Sequence, residues 1–117
     1  MRTETQSLRL RIYLRISDWL GRTRLHTALV RRAKEMGLLG ATVLPAFQGF
    51  GKQREITTIY PDVFSPDCPL VVEIVDDPEA IRRFVPIALE MAPDATLATT
   101  PVRRIICRKP ESPANAR

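Results

Sequence analysis

Histidine, cysteine, aromatic residues and long apolar runs are all scarce in this chain, and each scarcity removes a class of function. Of 117 residues one is histidine, two are cysteine and seven are aromatic. With His26 alone, no Ser/His/Asp or Cys/His set can be assembled, and His26 reads as a surface or interface side chain. Asp76 and Asp77 form the one conspicuous carboxylate pair, and helix capping accounts for them. The expectation is a protein that is not an enzyme. Cys68 and Cys107 are too few for a disulfide scaffold and fit no zinc spacing, so both are expected reduced. Charged residues, 26% of the chain, interrupt every apolar stretch well short of the ~20 residues a membrane span needs. The first thirty residues carry arginines throughout and lack an apolar signal segment with a small-residue cleavage site. These absences leave a small soluble domain, expected in the cytoplasm, with no membrane insertion.

Charge is plentiful and unevenly placed. Residues 1–34 hold nine Lys/Arg against two acids, residues 35–100 four against ten, and residues 101–117 five against one. A net +5 chain is therefore basic at both ends and acidic between. This pattern fits an anion held near the terminal elements, a basic face turned toward nucleic acid, or arginines that are merely solvated.

Periodicity orders the elements. Residues 1–7 are polar and expected to be disordered. Leu8, Leu10, Ile12, Leu14 and Ile16 alternate with Arg9, Arg11, Tyr13 and Arg15, which predicts a strand with one face on a core. A turn at 17–22 leads to a helical stripe of Leu25, Ala28, Leu29, Ala33 and Met36, with Thr23 as the expected N-cap and Gly37 as the left-handed stop. A second strand is expected over 40–47 and a third over 70–75. Asp77-Pro78-Glu79 opens a second helix, striped by Ile81, Phe84, Val85, Ala88 and Leu89. Residues 96–108 read as the last strand, and 109–117 as a disordered tail. The order βαββαβ is that of an α+β ferredoxin-like sandwich, an antiparallel sheet with two helices on one face and its first and last strands adjacent. Residues 8–108 form the single domain. Inside it, 48–68 is an aperiodic connection of about twenty residues, a length compact domains seldom carry without a job.

That connection starts with Gly49-Phe50-Gly51-Lys52-Gln53. Two glycines around an aromatic let backbone N–H groups approach an anion, and the lysine adds a cation. The same spacing also fits a plain glycine-mediated strand exit. It is neither a Walker loop nor a dinucleotide fingerprint, since both need a following helix.

The stretch Gly49-Phe50-Gly51-Lys52-Gln53-Arg54 resembles the GFGRQK segment that opens the T-loop of PII signalling proteins. Residues 8–108 are similar more closely to an uncharacterised bacterial PII-like family, most specifically at Gly37, at Gly40-Ala41-Thr42-Val43 and at the GFG turn. The resemblance implies a homotrimer with ATP, ADP or AMP between subunits. Gly49, Phe50, Gly51, Lys52 and Gln53 would meet the phosphates, and Arg103 and Arg104 would reach a neighbour's nucleotide. It also implies that Gln53 helps hold Mg²⁺ when nucleotide is present, and that the 48–68 loop is mobile and engages a membrane transporter or an enzyme. The chain departs from the PII pattern at Met91–Leu97, which has neither the glycine nor the lysine of the PII phosphate loop. Tyr60 does not align with the tyrosine that some PII proteins have modified.

Two other functions share this element order. An RRM, which binds single-stranded RNA, would use Arg9, Arg11, Tyr13 and Arg15 on the open sheet face. However, the third strand lacks the aromatic-rich RNA-binding pattern, so no nucleic acid is expected. A structural trimer without a ligand is the other.

Overall fold

The structure, a computed structural model, describes residues 2–51, 56–58 and 67–107. Its framework is a four-stranded antiparallel sheet built from β1 (Arg2–Arg15), β4 (Thr42–Pro45), β7 (Pro69–Asp76) and β8 (Thr96–Cys107). Two short hairpins are added, β2 (Trp19–Leu20) with β3 (Thr23–Arg24) and β5 (Gln48–Gly49) with β6 (Thr57–Thr58). Helices α1 (Leu25–Glu35) and α2 (Pro78–Met91) complete the chain. The spatial order β4-β7-β1-β8 is the ferredoxin-like α+β arrangement, with the first and last strands side by side.

The alternation in β1 sets which face is buried. Leu10, Ile12 and Leu14 meet Leu70, Val72 and Ile74 of β7, and both helices pack on this side through Leu25, Leu29, Ala33, Ile81, Phe84 and Ala88. The other face carries Arg9, Arg11, Tyr13 and Arg15.

Three local expectations are corrected. Residues 2–7 are part of β1, because their backbone pairs with β8 from Ser7–Val102 out to Arg2–Cys107. Polar side chains do not weaken that ladder, since the hydrogen bonds belong to the backbone. Thr23 does not cap α1, because it pairs with Leu20 across the β2–β3 turn at Gly21. The N-cap is Arg24, and the Leu25 N–H donates to the Asp18 carbonyl at 2.8 Å. Asp77 precedes α2 without a side-chain capping bond, and its carboxylate accepts from Arg104 instead.

Gly37 ends α1 at φ +79°, as its position predicts. The expected tail, 109–117, lies outside the described residues. Cys68 is buried and Cys107 exposed, and neither is in a disulfide. No helix among the described residues is long and apolar enough to cross a membrane.

Candidate functional site

A concavity of about 1000 Å³ is lined by residues from β1, the β2–β3 hairpin, the 46–51 segment, β7 and the connection from α2 to β8. Its lining includes the Gly49-Phe50-Gly51 turn, Trp19 and Leu20 of β2, residues 90–96, and Tyr13 and Val71 of the sheet. Three of the chain's seven aromatic side chains, Tyr13, Trp19 and Phe50, thus share one cavity. Its size is at the upper end for small-molecule sites.

The hairpin wall is fixed from below. The Arg15 N–H donates to Asp18 Oδ2 at 2.9 Å and the Asp18 N–H to the Arg15 carbonyl at 3.1 Å. Arg24 Nη1 donates to the Ile16 carbonyl at 2.9 Å, while its guanidinium lies 4.1 Å from the Trp19 ring centroid. Beside it, burial and then the Arg24 charge lower the His26 pKa from its ordinary 6.5. The β5–β6 ladder, Gln48–Thr58 and Gly49–Thr57, holds the glycine turn at the base of the 48–68 segment.

Of the residues read from sequence as ligand-binding, the structure brings Gly49, Phe50 and Gly51 together at this cavity. Lys52 and Gln53 lie outside the described residues. Neither Gly49 nor Gly51 has a positive φ. A Cβ at Gly51 would meet nothing within 4 Å, so this chain's own packing does not require glycine there.

Arg103 and Arg104 lie at the other end of β8. Thr96 lines the cavity opposite Tyr13, whereas Arg103 pairs with Gln6, seven residues further along, roughly 23 Å at ~3.3 Å per residue. There β1 and β8 run past the end of β7, whose pairing with β1 stops at Leu8. The result is a two-stranded arm. Arg103 is 70% exposed on it and 3.5 Å from Glu4. Arg104 is turned back across the sheet, 2.7 Å from Asp77 and 3.8 Å from Asp76. Asp76 is buried and also accepts from the Leu39 and Asp77 N–H groups. Arg104 also borders a smaller concavity of about 270 Å³ with Gly40 and Thr42.

Charge at the large cavity is unbalanced. The described walls supply Arg15 against Asp18, Glu90 and Asp94, and Arg15 is ion-paired with Asp67. An anionic ligand would need cations beyond these lining residues.

The open sheet face does not read as a bare cationic stripe. Arg11 donates to Glu73 at 2.9 Å, a bond that, ahead of a second one to Tyr13, raises the guanidinium pKa. With Arg15 held by Asp67, two of the three arginines between residues 9 and 15 are neutralised on the chain itself.

Sequence reasoning missed Trp19; it gave Tyr13 and Arg15 only to the RNA-binding alternative and treated Met91–Leu97 only as a departure from the PII phosphate loop, whereas all of them except Leu97 line this cavity. Gly21, at φ +62° between Leu20 and Thr23, was the available signal for the hairpin.

The fold is that of PII-like proteins. CPII from Thiomonas intermedia K12, a nitrogen regulatory PII-like protein solved in its apo form, superposes with a TM-score of 0.59 at 12% identity, over 92% of this chain and 100% of that one. A second CPII structure, bound to ADP, AMP and bicarbonate, gives 0.59 at 15% identity, over 87% and 91%. The model of the DUF190 family, described as Uncharacterized ACR, matches residues 7–104, and the chain belongs to that family. A UPF0166 protein of Aquifex aeolicus (strain VF5) is 47% identical over 57 residues, 49% of this chain and 54% of the relative. Another from the same organism is 38% identical over 56 residues, 48% and 58%. The matches thus span little more than half the length of these curated relatives.

Proposed function

We propose that the protein is a PII-like regulator, not an enzyme, that assembles as a homotrimer and binds an adenine nucleotide in a cleft between subunits. The observation that carries this reading is the placement of the Gly49-Phe50-Gly51 turn on the wall of a nucleotide-sized cavity. The PII-like CPII structure with ADP and AMP supports the ligand class. The shortage of cations at the cavity supports a site completed by a second copy, and exposed Arg103, on an arm remote from its own cavity, is suited to supply one. Lys52, directly after the turn, supplies another. Gln53 would join in holding Mg²⁺ only with nucleotide present.

Regulation follows from differential affinity. A nucleotide that binds one arrangement of the 48–68 segment better than another shifts the population toward it, and the shifted state engages or releases a transporter or an enzyme.

A thermal-shift titration with ATP, ADP and AMP, with and without Mg²⁺, tests this. A ligand at ~100 times its Kd adds about 2.7 kcal/mol per site, which for a domain this small raises Tm by several degrees. The shift is expected to vanish in Lys52→Ala and to shrink in Arg103→Ala. No shift with any nucleotide, or a monomer in sedimentation at tens of micromolar protomer, overturns the reading.

A further inference from the structure

We infer that Trp19 is the platform on which the nucleobase stacks, so that base recognition belongs to the β2–β3 hairpin and phosphate recognition to the glycine turn that lines the same cavity. This rests on the nucleotide reading above and assigns the half of the ligand that reading leaves without a partner.

Three observations meet at this side chain. Trp19 is the only tryptophan in the chain and is 53% exposed, although burying it in the core would stabilise the domain more than any other side chain of the hairpin. It lines the same cavity as the Gly49–Gly51 turn. Its ring is also held in place before any ligand arrives. Arg24 lies 4.1 Å from the ring centroid and is itself anchored on the Ile16 carbonyl at 2.9 Å. Asp18, the residue before Trp19, is tied to Arg15 by hydrogen bonds of 2.9 and 3.1 Å and accepts from the Leu25 N–H at 2.8 Å.

A guanidinium covering one face of an indole leaves one face for a planar partner. Bases stack on such faces irrespective of sequence because each has a π surface. A fixed ring also spares the ligand the cost of ordering it. The acidic side chains at the cavity, Asp18, Glu90 and Asp94, disfavour phosphate close to them and suit the exocyclic amine of adenine, which donates hydrogen bonds.

The test uses the intact chain. ADP is titrated into wild type, Trp19→Ala and Trp19→Phe by calorimetry, and tryptophan emission is followed in wild type, where Trp19 is the only source. Circular dichroism of each variant checks the fold, which the exposure of Trp19 favours. The expected result is quenching that saturates with the calorimetric Kd. Trp19→Ala should lose about 10- to 100-fold in affinity, and Trp19→Phe should recover most of it. Unchanged ADP affinity in Trp19→Ala, or binding without any change in emission, overturns the platform and leaves the nucleotide reading intact. Absence of ADP binding to wild type overturns both.

Discussion

Arg104 donates to the Asp77 carboxylate at 2.7 Å even though β1 runs between β8 and β7, the strand that ends one residue before Asp77. The contact ties the last strand to the start of α2. Buried Asp76, 3.8 Å from the same guanidinium, also receives the Leu39 N–H, so the α1–β4 connection joins the group. Arg104→Ala is expected to cost about 1–3 kcal/mol, because it strips a buried carboxylate of its nearby cation. Urea denaturation measures this, and Arg104→Lys should recover part. A role confined to ligand binding would leave stability unchanged.

Gly37 and Gly40 make a controlled pair. Gly37 sits at φ +79° and Gly40 at no positive φ, and a Cβ on either meets nothing within 4 Å. Gly37→Ala is expected to lose about 1 kcal/mol through backbone conformation alone. Gly40→Ala should change stability by less than about 0.5 kcal/mol in the same denaturation assay.

His26 should give stability a pH dependence. Its folded pKa is lowered from 6.5, first by burial and then by the Arg24 charge. Below 6.5 the unfolded chain binds more protons than the folded one at this site, so stability is fully present above 6.5 and falls as pH drops through the folded pKa. Comparing Tm of wild type and His26→Gln from pH 7.5 to 5 isolates the contribution, and His26→Gln should lose less. An NMR titration should also show the His26 pKa rising in Arg24→Gln.

Gly51→Ala separates folding from binding. No atom lies within 4 Å of the added Cβ, so stability should move by less than about 0.5 kcal/mol. At the cavity wall the same methyl obstructs approach to the backbone N–H groups. Losing one hydrogen bond to a charged ligand costs about 1.5–3 kcal/mol, which is tenfold or more in Kd. Calorimetry with ADP reads the outcome.

The framework was legible wherever one residue pattern had one structural meaning. Strict alternation from Leu8 to Ile16 could only be a half-buried strand, and Asp77-Pro78 could only open a helix. Residues 2–7 misled because their side chains carry no pattern, while the backbone pairing that orders them comes from β8, far away in sequence. The GFG turn was visible for the same reason as the strands, being contiguous. Trp19 was not, and 91–97 was seen only as a departure from the PII pattern, because a cavity is made by distant segments meeting and no local period records that. Likewise, Asp76 and Asp77 looked like capping residues until β8 brought an arginine over them.

The pairing of β1 with β8 has a consequence for how the protein is made. Tyr13 meets Thr96 and Arg2 meets Cys107, so the sheet's longest ladder closes loops of roughly eighty to a hundred residues, an entropic cost met before any of its hydrogen bonds form. Within the domain β1 also precedes β7 and α2, whose Leu70, Val72, Ile74, Ile81, Phe84 and Ala88 share the core with its Leu10, Ile12 and Leu14. Synthesis of the domain therefore includes an interval in which β1 is made but neither β7 nor α2 is there to pair with it or cover it, a period of exposure to aggregation and to chaperones.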